Sequence, residues 1–323
     1  MRNKFFYFSI FLFVRASFCH AQILDQLNNS KDESPIIIEA DESVVCDEMA
    51  NKCVATGNAK AQKATNTVYG DVLTLYFTEG REREITSMTA DGHVRMETPT
   101  EQAFGDHAHY DIKLDRVLMT GGNLKILTPK ETITARDSIE YWHTENKGIA
   151  RGNAVAVFPE KEELVQADTL VAYFKSSSNT PEKSDKSEKD NEKLAIDRVE
   201  AEGNMLASGP KGVVTGDRGI YTAKSHIVEV FNNVKVTQGE NVIEGGYARH
   251  NLNTNVAEMF THPPHVSQEG PKKRISGIIL PKDAKKMKEG EKKSETSIAD
   301  NSKDGQIFPI SAKTKSDASS QSE

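Results

Sequence analysis

Gly57-Asn58-Ala59-Lys60-Ala61 recurs along this chain as Gly92-His93-Val94-Arg95-Met96, Gly122-Asn123-Leu124-Lys125-Ile126, Gly152-Asn153-Ala154-Val155-Ala156 and Gly203-Asn204-Met205-Leu206-Ala207. A sixth copy, Asn232-Asn233-Val234-Lys235-Val236, has Asn in place of Gly. Between the copies runs a second mark, an aspartate at Asp41, Asp71, Asp106, Asp137, Asp168 and Asp217, with Gly246 in the last place. The steps from Gly to the next Asp are 14, 14, 15, 16 and 14 residues, too regular for chance. Self-similarity at about 30 residues identifies a fold built from one stacked supersecondary unit. The best comparison sets segment 40–61 on segment 135–156 without a gap, at an offset of 95, with Ala40/Ala135, Asn51/Asn146, Lys52/Lys147 and Gly57/Gly152 among the identities.

The side chains two and four residues past each Gly are Ala59/Ala61, Val94/Met96, Leu124/Ile126, Ala154/Ala156, Met205/Ala207 and Val234/Val236. The residue between them is Lys60, Arg95, Lys125, Val155, Leu206 or Lys235. Period-2 alternation marks a strand with one buried and one wet face. It returns after each Asp, where Leu73/Leu75, Ala108/Tyr110, Ile139/Tyr141, Leu170/Ala172 and Gly219/Tyr221 take the inward positions. Turn-forming residues such as Asn51-Lys52, Asp115-Arg116, Asn146-Lys147 and Asn253-Thr254-Asn255 separate the runs. Gly at a fixed place in a strand relieves crowding at a bend or bulge. The reading is all-β, two or more short strands per repeat, over a body spanning 35–266. The repeated alanines thin the core at several levels, as a slot for another molecule requires.

Outward from that body the composition changes. Residues 176–193 contain no apolar side chain and are mostly Ser, Lys, Glu and Asp, so they are expected to form a disordered insert between two strands. Residues 267–323, Lys-rich and then Ser-rich, are expected to form a disordered tail. At the start, Arg2 and Lys4 precede an apolar run from Phe5 to Val14 and a small-residue exit at Cys19-His20-Ala21. This predicts a signal peptide over 1–21, cleaved after Ala21, and export to the periplasm. The run is about half the roughly 20 residues of a membrane-spanning helix, and bulky Phe18 argues against lipid attachment at Cys19.

After removal of the signal, Cys46 and Cys53 are the remaining cysteines. In an oxidising compartment they pair across a turn or stay as half-buried thiols, and the disulfide is the favoured reading. No His or carboxylate cluster beside them suggests a metal. His107 and His109 share a strand face but lack a third ligand, so no metal is assigned. A net charge of -7 excludes general nucleic-acid binding, and no G-x-S-x-G elbow, Walker lysine or H-E-x-x-H is present, so no catalytic residue and no cofactor are assigned. The repeated aspartates are read as turn caps. The three consecutive isoleucines Ile36, Ile37 and Ile38, and Val256 to Phe260 at the far end, are expected to be exposed sheet edges open to another strand.

Thr56-Gly57-Asn58, Arg151-Gly152-Asn153 and Glu202-Gly203-Asn204, together with Gly70-Asp71, Gly105-Asp106 and Gly216-Asp217, resemble the OstA-like domain family of periplasmic lipopolysaccharide-transport bridge proteins. The resemblance covers about 36–266. It implies a β-jelly-roll or folded-over antiparallel sheet, open at both ends, that binds lipid A acyl chains in its slot. It further implies contact with other OstA-like transport proteins at the inner and outer membranes and end-to-end self-association. The insert at 176–193 and the long tail depart from the pattern. Three other classes fit the pattern of residues: a membrane-anchored component of the same system, a repeat-built surface or adhesion protein, and a β-solenoid enzyme, against which the lack of a carboxylate pair in a cleft-like setting argues.

Overall fold

Each Gly-Asn pair bends its strand at a fixed point. In the computed structural model, which describes residues 35–80, 83–176, 194–264 and 274–280, Gly57 and Asn58 have φ of +85° and +42°. The pairing steps from Thr56 opposite Val72 to Ala59 opposite Gly70, so two residues face Asp71 alone. This is a β-bulge in left-handed backbone, a conformation that Gly and Asn tolerate. The same break recurs at Gly92-His93, Gly152-Asn153, Gly203-Asn204 and Asn232-Asn233.

Ten long strands carry these bends or lie against them: β3 (Lys52–Lys63), β4 (Asn66–Phe77), β5 (Ile85–Glu97), β6 (Gln102–Asp111), β11 (Lys147–Phe158), β12 (Glu163–Ser176), β13 (Leu194–Gly209), β14 (Gly212–Thr222), β15 (Ile227–Gln238) and β16 (Asn241–Asn251). Elsewhere the strand breaks in two at the bend. These pieces are β1 (Ile36–Glu39) and β2 (Ser43–Asp47), β7 (Arg116–Thr120) and β8 (Lys125–Leu127), β9 (Thr132–Thr134) and β10 (Ser138–Trp142), and β17 (Val256–Phe260) and β18 (Ser276–Ile278). Every pairing is antiparallel. One half of each long strand joins β2, β7, β10 and β17 in one ladder, ladder A. The other half joins β1, β8, β9 and β18 in a second, ladder B. Inward side chains of both ladders form one apolar core.

The bend is also a polar seam. Asn58 donates to Asp41 at 2.8 Å, Asn204 to Asp168 at 2.8 Å and Asn233 to Asp217 at 3.1 Å, while His93 pairs with Asp71 at 2.8 Å. At these four bends the second residue of the pair both tolerates positive φ and contacts the aspartate of the neighbouring strand, while at the third bend the Gly122 N–H donates to Asp106, which ties the spacing of the two marks together.

The duplication read at an offset of 95 extends to hydrogen bonds. Asp41 N–H donates to the Gly57 carbonyl at 2.8 Å, and Arg136 N–H to that of Gly152 at 2.8 Å. The same offset carries β2 onto β10 and β3 onto β11 without a remainder. At the junction of the two copies, β10 pairs with β7 on one side and β11 on the other, and β9 pairs with β8 and β11. At the chain's own ends, β1 and β2 pair with β3, and β17 and β18 pair with β16; the far side of each has no partner among the described residues.

Two expectations change. The segment after 266 is not uniformly without structure, because Ser276–Ile278 pairs with Val242–Glu244 as β18. The ladder B half of β16 would otherwise leave its backbone groups unpaired, which outweighs the weak propensity of a Lys-rich stretch. The insert, read as 176–193, begins after Ser176, the last residue of β12, and 177–193 lie outside the described residues, as does the predicted signal segment. Cys46 and Cys53 stand opposite one another on β2 and β3 and form a disulfide.

Candidate functional site: the cleft between the two ladders

Because each strand is folded at its bulge, the ladders close along the bend and part toward the hairpin tips. Two clefts lie between them. The central one, about 720 Å³ including its open side, takes Ile126 and Ile133 from ladder B. Ladder A contributes Ile139, Tyr141, Leu170, Ala172 and Phe174. The other, about 1190 Å³ including its open side, lies nearer the N-terminal end. It is bounded by Ile36, Ala61 and Val68 from ladder B and by Leu75, Met88 and Tyr110 from ladder A. The space within is about 80 Å³ in the central cleft and about 490 Å³ in the other, so the first takes only part of an apolar chain and the second has room for a longer stretch.

The inward positions named from sequence divide between core and cleft. Ala59, Val94, Leu124, Ala154, Met205 and Val234, the first inward residue after each bend, are buried in the core. So are Met96, Ala156, Ala207 and Val236 one step on, and Leu73, Ala108 and Tyr221 on the partner strands. None of these lines either cleft. Ala61, Leu75, Tyr110, Ile126, Ile139, Tyr141, Leu170 and Ala172 do, and among them Ile126 and Ala172 are only half-buried.

The cations between the inward pairs are occupied. Lys60 reaches Glu39 at 3.1 Å, Arg95 lies 4.1 Å from the centre of the Tyr69 ring and pairs with Glu97, and Lys125 lies 5.1 Å from that of Phe104. These contacts brace the wet face. His107 pairs with Asp91, and no metal-binding group of three or more His, Cys, Asp or Glu occurs among the described residues. Among the described residues no helix is long and apolar enough to cross a membrane.

The family model described as "LptA/(LptD N-terminal domain) LPS transport protein" matches the chain twice, over residues 37–147 and 137–256. The chain belongs to this LptA/LptD N-terminal-domain family. The two matches start 100 residues apart, close to the offset of 95 between the two copies, and they overlap on 137–147, which contains β10. The family is one of lipopolysaccharide transport and not of enzymes. Among solved structures, the chain is similar to LptH from Pseudomonas aeruginosa, described as the LptA-homologous periplasmic component of the lipopolysaccharide transport device. That match has 13% identity and a TM-score of 0.20, and covers 78% of this chain and 99% of that one. Among curated proteins none matches the chain significantly.

Sequence reasoning missed two polar residues of the central cleft of this LptA/LptD-type body. Glu101 and Glu131 are buried there, 3% and 4% exposed. The available signal was a small repeat, Thr98-Pro99-Thr100-Glu101 and Thr128-Pro129-Lys130-Glu131, which reads as two ordinary surface turns. Burial, reinforced by the charge of Glu101, pushes the Glu131 carboxyl from 4.5 up to about 8, against the opposing pull of Lys161 and Lys130. Between those pH values the folded protein holds a proton that the unfolded chain has released. The associated stability is full below about pH 4.5 and is lost as pH rises to about 8. Glu131→Gln is therefore expected to melt well above the wild type at pH 8 and close to it at pH 5. An equal difference at both pH values in thermal denaturation would contradict this.

Proposed function

We propose that the protein binds lipopolysaccharide by its lipid A acyl chains, in the periplasm, and passes it between the inner and outer membranes without catalysing a reaction. The observation that carries this reading is the pair of apolar clefts between two ladders that are joined along one side only. Each methylene leaving water contributes about 0.8 kcal/mol, so a shallow cleft retains an acyl chain without a covalent step. An open side leaves the charged sugar and phosphate head in water, which avoids the cost of burying charge. Membership of a lipopolysaccharide-transport family supports the same substrate. Native mass spectrometry of protein released from the periplasm is expected to show bound lipid A species. A surface or adhesion protein would carry none, and a membrane-bound product that begins at Met1 would favour the anchored component.

Assembly end to end is part of the proposal. The internal junction supplies its geometry, since β2 corresponds to β10 at an offset of 95, and β17 to β7 by their equal pairing with β16 and β6. Within the chain Ile139 faces Met119. A second copy joined in the same way places Val44 opposite Met259 and Ile38 opposite Gly277. Val44, 49% exposed, and Ile37, 53% exposed, are apolar side chains on an unpaired edge, which suits them to this pairing. Mild oxidation of Val44→Cys/Met259→Cys protein should give a ladder of covalent oligomers, and Val45→Cys/Met259→Cys far less, because alternation turns Val45 to the other face. Ile37→Pro, which removes a backbone donor, should lower the oligomer size in sedimentation. Sedimentation as a monomer by both wild type and Ile37→Pro at high concentration would leave pairing only with other OstA-like proteins.

A further inference from the structure

Glu101 and Glu131 are buried in the central cleft, whose lining is otherwise apolar apart from Thr128 and the half-buried Glu140. Their turns are alike: Thr98 N–H donates to the Glu101 carbonyl and Thr128 N–H to the Glu131 carbonyl, each at 3.0 Å. The threonine Oγ1 accepts from the glutamate N–H at 3.1 and 3.0 Å. Gln102 pairs with Leu127 and Leu127 with Thr132, so Glu101, Thr128 and Glu131 form the next row, on the inward face with Ala103, Ile126 and Ile133. The row belongs to the junction alone. The residue 95 before Glu131 is Ile36, and the counterpart of Glu101 on β16 is Asn241.

A buried carboxylate without a compensating donor is costly, and its removal in favour of an apolar side chain would commonly stabilise a core. Glu131 Oε2 is buried and accepts no hydrogen bond among the described residues. The charged groups acting on Glu131 are Glu101, Lys161 and Lys130. We infer that Glu101 and Glu131 form a recognition site for a protonated primary amine carried by an amphiphile, whose alkyl part lies along Ile126 and Leu170. An ammonium group offers three donors and one positive charge, which suits two buried carboxyls, of which Glu131 is pushed up to about 8. A divalent cation fits less well, because the third carboxylate of the lining, Glu140, is held by Arg151 at 3.1 Å and by the Trp142 indole N–H at 3.2 Å, and no metal-binding group of three occurs among the described residues. Binding of the ammonium favours the ionised form of Glu131, so a proton leaves as the ligand enters.

The inference rests on the reading of the cleft as an acyl slot, and calorimetric titration with decylammonium and 1-decanol at pH 7 separates the two. Wild type is expected to bind decylammonium at least tenfold more tightly than 1-decanol, with an observed heat that depends on the ionisation enthalpy of the buffer. In Glu101→Gln/Glu131→Gln the ratio of the two affinities should approach one and the buffer dependence disappear. Decyltrimethylammonium, charged but without donors, should lose most of the preference in wild type. Equal binding of decylammonium and 1-decanol by wild type overturns the amine site and leaves the slot. An unchanged preference in the double variant also overturns it, and binding of neither probe overturns both readings together.

Discussion

Ile126→Asp is expected to reduce captured lipopolysaccharide at least tenfold, while Lys125→Asp leaves capture close to wild type. The two residues are neighbours on β8, and only their faces differ. Ile126 is half-buried and lines the central cleft, opposite Ile133 on β9 and Ala103 on β6. A carboxylate there would lie against the acyl chains and carry a desolvation cost of several kcal/mol, well beyond the 1.4 kcal/mol that changes affinity tenfold. Lys125 lies over the Phe104 ring on the wet face, where a reversal of charge costs about 1 kcal/mol of local contact and touches no ligand. Leu124, 2% exposed beside the bend, is a poorer probe, because Leu124→Asp would unfold the core. The measurement is lipopolysaccharide retained per mole of purified variant. Equal loss at positions 125 and 126 would show that the inward face has been assigned to the wrong residues.

Gly203→Ala should destabilise the protein by about 2–3 kcal/mol, an unusually large effect for adding one methyl group at a polar seam. At φ of +76° an L side chain is strained by about 1–2 kcal/mol. The added methyl would also overlap the Asp168 carboxylate, which accepts from the Asn204 side chain at 2.8 Å. Relief of that overlap breaks the Asp168–Asn204 bridge between β12 and β13. Asn204→Ala, which loses the bridge and the side chain that tolerates φ of +48° but adds no overlap, should cost about 1–2 kcal/mol. Thermal melts would show the order wild type, Asn204→Ala, Gly203→Ala. Indistinguishable melts for Gly203→Ala and wild type would mean that the left-handed bulge does not form.

The strands, their inward faces and the edges were legible because alternation is local: Val94, Arg95 and Met96 declare their faces without reference to any partner. The Gly and Asp marks were legible as spacing but not as a hinge. A two-residue left-handed bulge has the composition of a turn, and only the pairing of Thr56 with Val72 beside Ala59 with Gly70 shows that the strand continues through it. For the same reason the division between core and cleft escaped the sequence. Ala59 and Ala61 look alike in the pattern, yet one sits in the core beside the bend and the other lines a cleft nearer the tips. Glu101 and Glu131 were hidden because Thr-Pro-x-Glu reads as a solvated turn, and their burial depends on the opposing ladder. The three-residue strand at Ser276 was too short to stand out from its Lys-rich surroundings.

The central claim is that acyl chains lie between the two ladders. Photo-crosslinking in cells that make lipopolysaccharide tests it most directly, with a diazirine amino acid placed singly at Ile126, Ile133 or Ala172, which line the cleft, and at Lys125, which does not. Strong lipopolysaccharide adducts at the three cleft positions and little at Lys125 are predicted. Adducts of equal strength at Lys125, or none at the cleft positions in a folded protein, would contradict the account.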